Sequence, residues 1–280
     1  MTADPCWIDG ELSSTLPLPD RGLAFGDGVF ETLLLYNGGA VLLDFHEARL
    51  QAGLGRLALP ASPTVLAEAV TRASRVAPTG YAALRVTVTR GGGPRGYAPP
   101  AQQTPRTIAQ LTPLASDPGT WREPLKLGLS SVRLAKQRQL AGIKHLNRLE
   151  QVLASAECAR QGWDEALMLD DDDHVISAIA GNLFVASRGR LVTPRLGASG
   201  VAGTRRRAVI ERWAPAQDIA VTEAVLDVSA VQAADEVFIC NSLQGIRPVA
   251  AFAGQRWSAF PLARALHDAA CREPGMAGAQ

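Results

Sequence analysis

The sequence predicts an α+β chain built as two domains, and three observations carry that expectation. Strand-like alternation recurs with few helices between, and strand–helix–strand units do not repeat, which argues against a doubly wound sheet. At 280 residues the chain exceeds the usual size of one domain. An irregular stretch, "ASDPGTWREP", separates two strand-rich halves. It places a smaller α+β domain at 1–116, a linker at 117–122 and a larger domain at 123–280.

Each element has its own signal. "CWIDGEL" reads as a short strand with a turn at Asp9-Gly10, and "VFETLLLYNGGAVLLDF" as a hairpin about Asn37-Gly38-Gly39. "HEARLQAGLGRLAL" carries apolar residues at helical spacing until Pro60 stops it. Ser62 as N-cap and Pro63 at the first helical position open a second helix. "YAALRVTVTRG" and "RTIAQLTPL" alternate as strands. Between them Gly91 to Pro105, "GGGPRGYAPPAQQTP", is too rich in Gly and Pro for regular structure, and a loop that long is disordered or functional. The second half reads as the strand "LKLGLSSVRL", a helix from Asn147 to Arg160, hairpins at "EALMLDDDDHVISA" and "NLFVASRGRLVTP", a helix after Gly203 and the strand "EVFIC". No internal repeat is visible.

Composition narrows the function. A net charge of +1 gives no global field to recruit nucleic acid or anionic membrane. Cys6, Cys158, Cys240 and Cys271 lie far apart, which excludes a zinc knuckle or disulfide framework and fits a reducing cytoplasm. The N-terminus lacks the basic and apolar regions of a signal peptide, and no apolar run approaches membrane-spanning length. The expectation is a soluble cytoplasmic protein without a metal site.

Three of the 28 basic residues are lysines, Lys126, Lys136 and Lys144. A lysine retained against such a bias suits a task that needs an amine, which a guanidinium cannot perform. After Lys144 the residues Leu146, Leu149, Val152, Leu153 and Ala156 trace one helical face, and Asn147 and Glu150 have capping-box spacing. Lys144 therefore falls at a strand-to-helix corner able to present its amine to a cleft. The plainer alternative is a solvated lysine near a helix start. In "SGVAGTRRRAVIERW" a helix begins near Thr204, where free N–H groups favour an anion. Arg205, Arg206 and Arg207 in its first turn oppose the dipole, so a bound phosphate would reconcile them; solvated arginines are the alternative. A lysine amine with a phosphate-binding helix start is what pyridoxal phosphate requires.

The motifs "DRGLAFGDGVFET", "HEARL", "IKHLNRLEQVLA", "AGNLF", "GVAGTRR" and "NSLQGIRPV", in that order, give the chain a resemblance to the fold-type IV pyridoxal-phosphate enzymes. These include the branched-chain and D-amino acid aminotransferases. The N-R-L-E-Q run is similar to that of the family's aminodeoxychorismate lyases. The resemblance implies a D-amino acid aminotransferase-like fold with the site in the cleft between domains, a pseudo-barrel-like larger domain, and a homodimer. It implies Lys144 as the Schiff-base lysine and Arg49 as a phosphate ligand, helped by the N–H groups of Thr204 and Arg205. Ser242 and Leu243 would lie against the same phosphate. Phe30 replaces a substrate-facing tyrosine, and Arg95 with Tyr97 in "GPRGY" would meet the substrate's carboxylates. Asp27 reads as shaping a turn with Gly28, and His46 as structural.

One departure stands out. Ser177 occupies the position of the family's carboxylate at the pyridine nitrogen, and no acidic residue lies between Asp173 and Phe184. Serine can hydrogen-bond that nitrogen but cannot hold it protonated as a carboxylate does. The resemblance thus implies a lyase that makes 4-aminobenzoate and pyruvate from 4-amino-4-deoxychorismate in folate synthesis, where aromatisation drives the elimination. An aminotransferase of the same fold is the rival, and a catalytically inactive relative kept for interactions is a third reading.

Overall fold

The computed structural model describes residues 4–115, 117 and 119–273. Ser116 and Pro118, at the expected domain boundary, and the first three residues of the N-terminal segment lie outside them.

The first half holds β1 (Cys6–Ile8), β2 (Glu11–Leu12), α1 (Arg21–Phe25), β3 (Gly28–Tyr36), β4 (Gly39–Ala40), α2 (Leu43–Arg56), α3 (Val65–Ser74), β5 (Tyr81–Thr89) and β6 (Arg106–Pro113). Its six strands form one antiparallel sheet in the order β2-β1-β6-β5-β3-β4. Period-2 alternation sends Val29, Leu33 and Leu35 of β3 to the face covered by α2 and α3, where Leu50, Leu54, Leu66 and Ala69 complete a core. Helix α3 begins at Val65, after the expected Ser62–Pro63 start, because Ser62 Oγ accepts the Thr64 N–H and forms a turn ahead of the helix.

The second half holds β7 (Leu125–Leu134), α4 (Leu149–Gln161), β8 (Glu165–Asp170), β9 (Val175–Ala178), β10 (Asn182–Ser187), β11 (Arg190–Pro194) and α5 (Thr204–Ala208). Then come β12 (Val221–Ala224), α6 (Val228–Gln232), β13 (Glu236–Asn241), β14 (Gly245–Phe252), β15 (Gln255–Arg256) and α7 (Pro261–Ala270). The sheet runs β12-β11-β10-β13-β14-β7-β8-β9, with β15 beside β14. It curls until Val175 N–H of the β9 end donates to Leu226 O, just past β12 at the other end, at 2.8 Å.

Strand β14 and helix α7 have no counterpart in the sequence-based expectations. Gly245 and Pro248 disguise β14, since Pro cannot donate to a ladder, yet the strand sits between β13 and β7. Another core crosses between the halves: Leu34, Val41, Phe45 and Tyr81 pack with Phe184, Phe238, Trp213 and Leu266.

Helix α4 departs from expectation twice. It starts at Leu149, because Asn147 donates to Gly26 O and Glu150 accepts the Ala135 N–H, so neither closes a capping box. Its stripe of Leu149, Val152 and Leu153 faces outward, 76%, 59% and 59% exposed, instead of entering the core. Ala154 and Cys158 are buried in their place.

Candidate active site

A cavity of about 320 Å³ opens between the two halves, lined by Lys144, Arg49, Arg148 and Arg205 among its cations. No acidic side chain among the described residues lines it. The enclosure is electropositive, as an anionic ligand requires.

Lys144 is held by both halves of the chain. Phe30 N–H donates to Lys144 O at 2.9 Å and Leu146 N–H to Gly28 O at 3.1 Å, so the lysine segment lies beside the start of β3 as a short antiparallel bridge. On its other side Gly142 pairs with Val201. Nζ lies 4.4 Å from the centre of the Phe30 ring and makes no hydrogen bond or ion pair among the described residues. Burial first, then the charges of Arg49, Arg148 and Arg85, pull the amine down to about 7 against the opposing pull of Glu31. At neutral pH a large fraction of it is the free base, the form that attacks a carbonyl.

Arg49, on α2, is fixed by Glu31 of β3: Nε donates to Oε1 at 2.8 Å and Nη2 to Oε2 at 2.5 Å. Nη1 donates to Ala202 O at 3.1 Å. A guanidinium has five N–H groups, so donors remain for the cavity. Burial alone would raise the Glu31 carboxyl, but Arg49 and His46 hold it at about 2. His46 is wholly buried, its Nδ1 2.6 Å from Glu31 Oε2 and its Nε2 3.2 Å from Thr204 Oγ1.

Thr204 opens α5 at the cavity wall, and the first N–H groups of a helix have no carbonyl within it. Gly203 is required there, since a Cβ would stand 2.0 Å from Asn182 Oδ1, which accepts the Gly203 N–H. Thr204 Oγ1 and Ser242 Oγ are 3.3 Å apart. The Leu243 N–H is taken by Asn241 Oδ1 at 3.1 Å, so Leu243 offers the cavity no backbone donor. The arginine cluster needs no phosphate to explain it. Arg205 donates to Ser242 O, Arg206 to Glu223 and Pro194 O, and Arg207 to Glu211.

Ser177, on β9, faces the cavity with no protein partner for its hydroxyl among the described residues. Glu165, on adjoining β8, does not substitute: its Oε1 accepts the Ala166 and Ile179 N–H groups behind the cavity wall.

Arg95 and Tyr97 do not line this cavity. Both are exposed, Tyr97 by 86%, on the loop between β5 and β6. Buried Arg21 fastens that loop by donating to Gly96 O, Tyr97 O and Ala98 O, and Tyr97 packs on Phe25 at 5.4 Å. Asp27 does more than shape a turn, since it binds both Arg21 and Arg90.

Several site residues were not singled out from sequence. Glu31 had a signal: a charged residue at an inward position of an alternating strand demands a buried partner. Arg148 stood inside the N-R-L-E-Q run. Arg85 does not line the cavity; it had no signal, because only the fold brings its guanidinium to 4.1 Å from the Phe30 ring, where it meets no carboxylate among the described residues.

Residues 28–252 match the amino-transferase class IV family. The chain belongs to that family. It is 35% identical to the aminodeoxychorismate lyase of Vibrio harveyi over 87% of this chain and 89% of the relative. The crystal structure of 4-amino-4-deoxychorismate lyase from Pseudomonas aeruginosa superposes with a TM-score of 0.88 at 41% identity, covering 95% of this chain and 98% of that one. The branched-chain amino acid aminotransferase of Escherichia coli gives 0.87 at 25% identity, covering 96% and 93%.

The fold is thus that of the fold-type IV enzymes, and pyridoxal phosphate is the cofactor of this class IV chain. The cavity fits it. A half-buried amine without a counter-ion among the described residues, a guanidinium with spare donors, two hydroxyls and a helix start supply partners for an aldehyde and a phosphate.

Proposed function

We propose that this class IV enzyme is a lyase converting 4-amino-4-deoxychorismate to 4-aminobenzoate and pyruvate. One observation carries the reading: an unpartnered Lys144 amine shares its cavity with a serine, Ser177, where the resemblance puts a carboxylate.

In this reading Arg49, the Thr204 and Arg205 N–H groups and the Ser242 hydroxyl hold the phosphate, with Leu243 packing beside it. Bound there, pyridoxal phosphate supplies an electron sink for the C–H bond beside the amine it holds. Lys144 takes that proton, and Phe30 over its amine keeps water from competing. Ser177 offers the ring nitrogen a neutral hydrogen bond and a weaker sink than a carboxylate would. Departure of the enolpyruvyl group makes the ring aromatic, so the elimination tolerates that weakness better than transamination does. Arg148, which lines the cavity, and Arg85, beyond its lining and over the Phe30 ring, touch no carboxylate among the described residues and suit the two acids of the substrate.

The same reading makes the enzyme a cytoplasmic homodimer in folate synthesis. The exposed stripe of Leu149, Val152 and Leu153 supports a contact between copies, and the four unpaired cysteines fit a reducing compartment. With the site near that contact, Arg95 and Tyr97 would serve the cavity of the other copy.

The test is a coupled assay for pyruvate and 4-aminobenzoate from enzymatically made aminodeoxychorismate, run beside a half-reaction with D- or L-alanine. Both products with little alanine conversion are expected. Brisk alanine conversion without 4-aminobenzoate would replace the lyase with an aminotransferase.

A further inference from the structure

Glu31, His46, Thr204 and Ser242 form a single file of hydrogen bonds that ends at the cavity wall. The spacings are 2.6 Å from Glu31 Oε2 to His46 Nδ1, 3.2 Å from His46 Nε2 to Thr204 Oγ1 and 3.3 Å from Thr204 Oγ1 to Ser242 Oγ. The direction of each bond follows from proton accounting. Glu31 is ionised beside Arg49 and can only accept, so His46 carries its proton on Nδ1. The bare Nε2 of a neutral ring then accepts from Thr204. A threonine hydroxyl has one proton, so Thr204 Oγ1 must in turn accept from Ser242.

With His46 neutral, both hydroxyl protons therefore point away from the cavity. This is the wrong arrangement for an anion, which needs them as donors. One added proton corrects it: imidazolium Nε2–H donates to Thr204, whose hydroxyl turns outward, and Ser242 is freed to do the same. We propose that binding of the cofactor phosphate draws one solvent proton onto His46 and so reverses the file, making Thr204 and Ser242 donors to the phosphate. The inference rests on the phosphate placement given above and makes His46 a positioning residue acting through Thr204.

The charges around His46 agree with this. Glu31 on β3 favours the imidazolium, while Arg49 on its own helix and Lys144 across the cavity oppose it. Burial, the largest influence, leaves the ring's hold on a second proton weaker than usual, so at pH 7.5 the ring is neutral. From α5 it meets the Thr204 hydroxyl. A phosphate dianion beside Arg49 offsets the opposing cation and supplies the missing negative charge.

The chain has four histidines, His46, His145, His174 and His267, so ring ¹⁵N spectra of histidine-labelled protein are tractable. In apoprotein at pH 7.5, His46 should show one protonated and one bare nitrogen. At saturation with pyridoxal phosphate both should be protonated, whereas pyridoxal, which lacks the phosphate, should leave Nε2 bare. The His46→Gln spectrum assigns the signals; if that variant does not fold, His145→Gln, His174→Gln and His267→Gln assign them by elimination. Thr204→Val should cut the link, and cofactor affinity should then fall with rising pH by up to tenfold per unit less steeply than in the parent. A bare Nε2 at saturation, or equal protonation by pyridoxal, overturns the proposal with the phosphate placement intact. Cofactor affinity unmoved by Arg49→Ala would overturn the placement, and the proposal with it.

Discussion

Replacing Arg49 by Met should do two separable things. The Glu31 carboxylate is fully buried, and Arg49, itself only 10% exposed, holds it through two contacts of 2.5–2.8 Å. Removing one partner of a buried ion pair costs about 3–5 kcal/mol, because the other charge is left stranded. His46 still hydrogen-bonds Oε2, which points to the lower end, about 3 kcal/mol. The double variant Glu31→Gln/Arg49→Met strands no charge and should recover most of that loss. Both variants also lack the phosphate guanidinium, a charge-assisted contact of about 1.5–3 kcal/mol, or roughly ten- to a hundredfold in affinity. Urea denaturation of apoprotein reads the first effect, and absorbance titration with pyridoxal phosphate the second. Equal stability losses in the single and double variants would refute the stranded-charge argument. Unchanged cofactor affinity would return Arg49 to a purely structural role.

Other expectations follow from the same geometry. Borohydride should fix the cofactor to the peptide carrying Lys144, not those carrying Lys126 or Lys136, and Lys144→Arg should abolish the visible absorbance, since arginine keeps the charge but forms no imine. The rate at which apoprotein captures pyridoxal phosphate should rise through about pH 7 as the Lys144 amine loses its proton; Arg148→Gln removes a repelling charge, so stopped-flow should place the rise at higher pH. Because Glu31 is held at about 2, its contribution to stability is complete above its ordinary value near 4.5 and is lost as pH falls through about 2. Acid titration of Glu31→Gln should lack that part of the slope. Ser177→Glu should speed conversion of the cofactor to its pyridoxamine form by D- or L-alanine more than it changes lyase turnover; a folded, fully loaded variant no faster than the parent would acquit the serine.

Much of this protein was legible from local pattern. The β-rich run "VFETLLLY" and the alternation in "YAALRVTVT" marked neighbouring strands of the first sheet, and the lysine before N-R-L-E-Q marked the amine that reaches the cavity. Such signals are local: backbone periodicity and turn chemistry depend on residues a few positions apart. Tertiary structure decided what each face meets. The stripe Leu149–Val152–Leu153 has helical spacing whether a core or another molecule covers it, and only the packed fold turned it outward. Arg205, Arg206 and Arg207 look alike in sequence, yet one holds the Ser242 loop, one is buried against Glu223 and one pairs with Glu211 four residues on. Arg49 and Arg85 differ in the same way, one clamped by a carboxylate eighteen residues earlier and the other lying over the Phe30 ring. The role of a charged side chain depends on its burial and on partners brought from distant parts of the chain, and residue spacing encodes neither.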